Sequence, residues 1–193
     1  MIEDTSANRF IFQSTPLEGM FVVRRRPIED HRGFFSRFFS AHEFREVGFT
    51  KSVAEINHSF TRKKGAVRGL HFQYPPHAEV KIVSCLRGEI FDVAIDIRKN
   101  SPTFLHWHSE IITAANQRSL LIPEGFAHGF QSLTDNVELI YLSSEFYNPE
   151  YERGLRFDDP ALRIEWPLPA GVISIKDQSY SFVDNYFEGI ERR

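Results

Sequence analysis

Cysteine is almost absent from these 193 residues: Cys85 stands alone, so no intrachain disulfide can form and nothing marks a cross-linked secreted scaffold. Flanked by apolar residues in "KIVSCL", it reads as a core thiol. Long hydrophobic runs are missing as well. No stretch approaches the roughly 18 apolar residues of a membrane span, and "MIEDTSANRF" lacks the basic start and apolar run of a secretion signal, so the cytoplasm is the expected compartment. There is no excess of positive charge either; a net charge of −3 argues against a nucleic-acid coat. The two basic runs, "RRRP" at 24–27 and "TRKK" at 61–64, are short and read as solvated turns. A disordered composition is also excluded, since 41% hydrophobic and 25% charged residues are globular proportions, and the length suits one domain over 1–193.

Phenylalanine, in contrast, is abundant: 19 residues against 2 Trp and 6 Tyr. Flat, rigid side chains in such numbers suit sheet packing better than helix bundles. Ten short β-rich runs, from "MFVVRR" at 20–25 to "VELIYLSS" at 137–144, are separated by turn residues without the strand–helix alternation of a parallel sheet. The chain is expected to be all-β, a closed or double-sheet architecture such as a jelly roll, with a core over about 19–167. The Arg87-Gly88 step between "VSCL" and "EIFDVAIDIR" predicts a tight hairpin. One short helix is signalled by the capping-box spacing of Ser40 and Glu43 and a left-handed stop at Gly48. From "PLPAGVISIKDQSYSF" onward the pattern changes, and residues 168–193 read as a C-terminal appendage packed on the sheet.

Ionisable groups then turn up where a core should be. "VRGLHFQ" (67–73) combines Val67, Leu70 and Phe72 with Arg68, His71 and Gln73. Strict alternation would put Arg68 and His71 on opposite faces, but a strand glycine often marks a bulge, and one at Gly69 would turn both toward one cavity. In "EIFDVAIDIR", Phe91, Val93, Ile95 and Ile97 share one face and Asp92, Ala94 and Asp96 the other, which is either a solvent-facing edge or the acidic wall of a cavity. Lys81, flanked by apolar residues, is a partner for such an aspartate. "IPEGFAHGF" (122–130) has a Pro-x-Gly-x-x-His spacing at Pro123, Gly125 and His128 that resembles the second cupin motif. A metal cupin takes His-x-His at the first motif, whereas His71-Phe72-Gln73 offers an amide, a weak ligand for a divalent ion, so a barrel without bound metal is expected. The competing reading is a metal site at His71, Glu79 and His128.

Taken in order, "DHRGFFSRFF", "NHSFTRKKGAVRGLHFQ", "VKIV", "GEIFDVAIDIRKNSPTF", "IPEGFAHGF", "ELIYLSSEFY" and "FDDPALRIEWP" resemble the dTDP-4-dehydrorhamnose 3,5-epimerase family over roughly residues 19–167. The resemblance implies a cupin-type jelly-roll barrel, a homodimer that exchanges an N-terminal strand, no cofactor, and a nucleoside-diphosphate 4-keto sugar as substrate. It implies His71 as the base with Asp159 of "FDDP" fixing its tautomer, Tyr141 as the acid on the opposite face, and Lys81, braced by Asp92, at the enolate oxygen. Arg68, His128 and a partner subunit's Arg32 are implied at the diphosphate and Phe35 against the base, with Asn57, Gln73 and Tyr147 lining the substrate. Two positions depart from the pattern: Glu55 replaces an amide and Arg37 an acid near the nucleotide base. A GDP- or CDP-linked sugar inverted at one carbon is therefore an alternative, and a non-catalytic sugar-nucleotide module is the alternative from another class.

Overall fold

A computed structural model describes residues 8–184 and 186–191. Within the described residues, thirteen strands and two short helices run in the order β1 (Phe10–Ser14), β2 (Phe21–Arg25), β3 (Ile28–Asp30), β4 (Gly33–Phe35), α1 (Ala41–Arg45), β5 (Glu55–Thr61), β6 (Val67–Gln73), β7 (Lys81–Arg87), β8 (Glu89–Asp96), β9 (Trp107–Thr113), β10 (Arg118–Ile122), β11 (Phe126–Ser132), β12 (Val137–Ser143), β13 (Glu152–Gly154) and α2 (Ile175–Ser179). Two antiparallel sheets face each other, one ordered β1-β2-β10-β7-β12-β5 and the other β13-β6-β11-β8-β9, with β3-β4 as a separate ribbon. This is the double-sheet all-β architecture expected, a jelly roll of the cupin type. Among the described residues, no helix is long and apolar enough to cross a membrane.

The Arg87-Gly88 step does not make a hairpin. β7 pairs with β10 and β12 in one sheet, while β8 pairs with β9 and β11 in the other. A hairpin would leave Val83, Cys85 and Ile90 beside one another on one sheet; instead all three bury into the same central core from facing sheets, so the chain arches over at Gly88 (φ 80°). Cys85 is buried there, and burial pushes its thiol up to about 11.

Two further apolar layers flank this core. Outside the six-stranded sheet, α1 sets fully buried Phe44 among Phe10, Phe12, Phe39 and Phe49, with ring centroids 4.9–6.4 Å from Phe44. Much of the phenylalanine excess is therefore edge-to-face packing that fixes a helix too short to be stable by itself. Its start is as expected: the Ser40 side chain accepts from the Glu43 amide at 3.4 Å, and Gly48 takes φ 93°. Outside the five-stranded sheet, Leu155, Leu162, Trp166, Val183 and Ile190 cover Phe91, Val93, Ile95 and Ile97. The alternation in β8 is thus a division between two cores, neither face meeting solvent. The three strands without a sequence signal, β1, β3 and β13, are edge or ribbon strands.

Candidate active site

Register along β6 slips against β11: His71 pairs with His128 and Arg68 with Phe130, so three steps on one strand span two on the other. This is the bulge expected at Gly69. Its φ of 116° suits glycine, and a Cβ there would stand 2.6 Å from the Gly129 Cα. Arg68 and His71 consequently both line one cavity of about 680 Å³ between the sheets. The five-stranded sheet contributes His71 and His128, and the facing sheet contributes Lys81, Tyr141, Ser59 and Thr61. Imidazole and phenol therefore come from opposite walls.

The carboxylate against His71 is Asp177, not Asp159. Asp177 Oδ1 lies 2.8 Å from His71 Nε2, and its Oδ2 accepts from the Gly69 amide at 3.3 Å. Asp159 faces away, accepting from the amides of Ala161 at 2.8 Å and Val183 at 2.6 Å to hold a turn and the C-terminal segment. Asp177 arrives on α2, whose cap Ser174 accepts from the Asp177 amide at 3.0 Å. Residues 168–193, expected as an appendage, thus include part of the cavity wall: Val172, Ser174, Lys176 and Asp177 all line it. The one local signal was the Ser174-x-x-Asp177 cap spacing, which announces a helix start and says nothing of His71. Burial pushes the Asp177 carboxyl up, but the bonds from His71, Gly69 and Ser174 outweigh it and leave the group below the ordinary carboxylate range. An ionised acceptor requires the hydrogen on His71 Nε2, which leaves the lone pair on Nδ1.

The Lys81 and Asp92 pairing is also corrected. Lys81 Nζ meets Glu79 Oε1 at 2.9 Å, two residues back in the segment that leads into β7, and Ser143 Oγ also donates to Glu79. Asp92, fully buried, takes His128 Nε2 at 2.7 Å on Oδ1, while its Oδ2 has no hydrogen-bond partner among the described residues. β7 and β8 lie in different sheets, which is why the expected cross-strand pair does not form. His71 and His128 thus each end on one carboxylate, side by side on adjacent strands. His128 is the deeper, its side chain 13% exposed against 31% for His71. Among the described residues no three His, Cys, Asp or Glu side chains group as metal ligands would.

Tyr141 is half-buried, and burial, with Glu79 and Glu55 nearby, raises its phenol above the ordinary value against the opposing pull of Arg68. The hydroxyl therefore keeps its proton at neutral pH. Arg68 is aimed by hydrogen bonds from Nε to Thr61 Oγ1 (3.0 Å) and from Nη2 to the Phe60 carbonyl (3.2 Å). Arg62 and Lys63 of "TRKK", expected as a solvated turn, line the cavity as well, so its mouth is cationic. Arg62 and Lys63 are nonetheless exposed, as expected of a solvated turn, whereas Arg25 of "RRRP" is not, being buried over the Phe38 ring at 4.0 Å.

Other expected substrate residues lie elsewhere. Gln73 is consumed by backbone: Nε2 donates to the carbonyls of His77 (3.0 Å) and Phe146 (3.3 Å), and Oε1 accepts from the Asn148 amide at 2.6 Å, clamping two loops. Asn57, beside Tyr141 in register, and Glu55, beside Ser143, lie on β5 but not on the cavity wall. Exposed Tyr147 donates to Glu152 Oε2 at 2.8 Å, and Glu152 also holds Lys176. Arg32 pairs with Asp30 at 2.6 Å on the exposed β3-β4 ribbon, and Phe35 and Arg37 are exposed too; within one chain none of the three lines the cavity.

With this geometry in view, comparison with known proteins gives one answer. The dTDP-4-dehydrorhamnose 3,5-epimerase family model matches residues 14–185. A protein of that description from Shigella flexneri is 43% identical over 176 residues, 90% of this chain and 97% of the relative. Among solved structures, the dTDP-6-deoxy-D-glucose-3,5-epimerase of Legionella pneumophila in complex with dTDP-4-keto-L-rhamnose superposes with a TM-score of 0.88 at 35% identity, covering 95% of this chain and all of that one. A 3'-monoepimerase from Streptomyces bikiniensis in complex with dTDP-quinovose gives 0.79 at 32% identity, over 87% and 85%. The chain belongs to the dTDP-4-dehydrorhamnose 3,5-epimerase family.

Proposed function

We infer that this enzyme inverts C3 and C5 of a dTDP-linked 4-keto-6-deoxyhexose, with His71 as the base and Tyr141 as the acid. The observation that carries the assignment of roles is that the two groups project from opposing sheets into one cavity. A ketone acidifies the hydrogens on the carbons beside it, so the reaction needs a base on one face, an acid on the other and a cation at the oxygen. His71 takes the proton through the ring nitrogen that Asp177 leaves free, and Asp177 stabilises the imidazolium that results. The electron pair moves onto the carbonyl oxygen, where the Lys81 ammonium, held by Glu79, offsets the charge. Tyr141 returns a proton to the same carbon from the other side, and its configuration inverts. No hydride or group transfer occurs, so the chemistry calls for no redox cofactor.

The diphosphate lies at the cationic mouth, against Arg68, Arg62 and Lys63, with His128 contributing from deeper in the wall. A homodimer completes the base end. Among the described residues the β3-β4 ribbon has no sheet neighbour, and it exposes Phe34 and Phe35, each 61% accessible, while edge strand β5 exposes Ile56 and Phe60. A second copy's ribbon carried over this rim supplies Arg32 and Phe35 to phosphate and base, with Arg37 and Glu55 setting the hydrogen bonds offered to thymine and Asn57 and Tyr147 lining its approach. The enzyme works in the cytoplasm.

Deuterium incorporation from heavy water tests the roles. His71→Ala should abolish exchange at both C3 and C5 while nucleotide affinity holds within a few-fold; persistent exchange would assign the base elsewhere. Tyr141→Phe should spare exchange more than net inversion, because only the returning proton is lost. Exchange confined to one carbon in the unaltered enzyme would instead mark a single-carbon epimerase.

A further inference from the structure

β6 has a neighbour on each side, and His71 therefore has two cross-strand partners: His128 on β11 and Gly154 on β13. Gly154 offers no side chain, and the space is taken. A Cβ at 154 would fall 2.2 Å from Cε2 and 2.5 Å from Cζ of Tyr180, so the tyrosine ring sits where that side chain would be. From this slot Tyr180 meets His71 edge to face, with centroids 6.0 Å apart and planes at 69°. Tyr180 is the residue at which α2 ends, three after Asp177, and its backbone is already extended (φ −65°, ψ 146°). One short turn of chain thus brings two contacts to a single imidazole: a carboxylate at Nε2 and a ring along its flank. The turn is itself tied to the sheet by Lys176 on Glu152 and by Arg156 Nη1 donating to the Gln178 carbonyl at 2.9 Å. The Tyr180 hydroxyl is buried and meets no partner at full hydrogen-bonding geometry among the described residues; Lys176 is the nearest polar group drawn toward it, and Glu152 and Asp177 act on it through space.

We propose that Tyr180, seated in the slot left by Gly154, is a positioning residue for His71, fixing the tilt of the imidazole and sealing its outer flank so that the proton-accepting nitrogen is aimed at the sugar carbon. One hydrogen bond to Asp177 holds the ring at one end and leaves it free to swing about that end. A flat side chain packed on its flank removes the swing, and proton abstraction is sensitive to displacements of about 1 Å. It is the ring, not the hydroxyl, that fills the Gly154 slot and meets the imidazole, so the ring is the working part. The inference rests on His71 being the base.

Steady-state kinetics of Tyr180→Ala, Tyr180→Phe, Gly154→Ala and His71→Ala, with solvent deuterium incorporation followed in each, separate the two assignments. Tyr180→Ala should lower kcat by about 10- to 100-fold with KM within twofold, and Tyr180→Phe should restore kcat to within twofold. Gly154→Ala, which evicts the ring while keeping Tyr180, should reproduce the kcat loss. If Tyr180→Ala does not fold, Tyr180→Leu, which fills the slot without a flat face, carries the same expectation. Full kcat in Tyr180→Ala or Tyr180→Leu, a defect confined to KM, or a Tyr180→Phe enzyme as slow as the alanine variant would each overturn the proposal. Exchange that survives in His71→Ala would bring down the base assignment instead.

Discussion

Four carboxylates are buried in or beside the five-stranded sheet, and their hydrogen bonds divide them into two kinds. Asp96 accepts from Arg98 Nε (2.8 Å), Nη2 (2.7 Å) and amide (3.0 Å), and from Ser101 and Thr103, each at 2.6 Å. Asp159 accepts from two backbone amides. Both are spent on holding chain segments together. Asp92 and Asp177 instead each meet one histidine that faces the cavity, and Asp92 keeps an oxygen with no partner among the described residues. Asp92 and Asp96 make the contrast sharp, since they share one face of one strand. A carboxylate whose partners are all fixed scaffold groups is itself scaffold; one that gives an oxygen to an imidazole on the cavity wall can stabilise charge that appears there during a reaction.

The largest test of this division exchanges charge for an amide in both classes. Asp177→Asn keeps an acceptor for the Gly69 amide but removes the charge that stabilises the His71 imidazolium, and kcat should fall by roughly 10³- to 10⁴-fold, as when a triad carboxylate is neutralised. Thermal melting should move little. Asp159→Asn should do the reverse: kcat within about threefold, and a stability loss of about 1–3 kcal/mol, because an NH₂ group would confront one of two buried amide donors. Parallel turnover and melting measurements on the two variants decide it, and equal kcat losses would dissolve the distinction.

That Asp177 and not Asp159 serves His71 also shows where sequence reading stops. The ten strand runs were legible because alternation and turn residues are local, and the Gly69 bulge followed from one glycine between two residues needed on one side. The Ser40 cap was local as well. Asp177 is 106 residues from its partner, on a helix of five residues, and its one local signal is a cap. The true partner of Lys81, Glu79, lies just before β7 begins, where strand alternation gives no guide; pairing Lys81 with Asp92 assumed that consecutive strands are neighbours, and the arch at Gly88 separates them. Arg62 and Lys63 looked like any exposed basic turn, since nothing in four residues reveals that a cavity opens beside them.

A smaller effect should come from Asp96, and its sign with pH is fixed. Burial pushes this carboxyl up, but Arg98, Ser101 and Thr103 more than offset that and bring it to about 2 from an ordinary 3.8. A depressed carboxyl contributes stability that is fully present above the unfolded value and is lost as pH falls through the folded one. Asp96 should therefore supply about 2 kcal/mol at neutral pH that disappears between roughly pH 4 and pH 2. Urea unfolding of Asp96→Asn should show at least this loss at pH 7, with the gap from the unaltered protein narrowing as the solution is acidified. A pH-independent gap would mean that packing rather than charge holds the segment.

The smallest change is expected at Asp92, the working counterpart on the same strand face. Here an amide can keep the bond to His128 through its oxygen, and its NH₂ replaces an atom that already lacks a partner, so melting should be nearly unaltered. What disappears is the negative charge behind His128, which polarises its N–H toward the substrate. Affinity for the nucleoside diphosphate should drop about tenfold in Asp92→Asn, the scale of one charge-assisted hydrogen bond to phosphate weakened to a neutral one. Titration calorimetry with dTDP measures the affinity, and thermal melting the stability. Unchanged affinity together with a lower melting temperature would move Asp92 to the side of Asp96 and leave His71 with Asp177 as the one working pair in the wall.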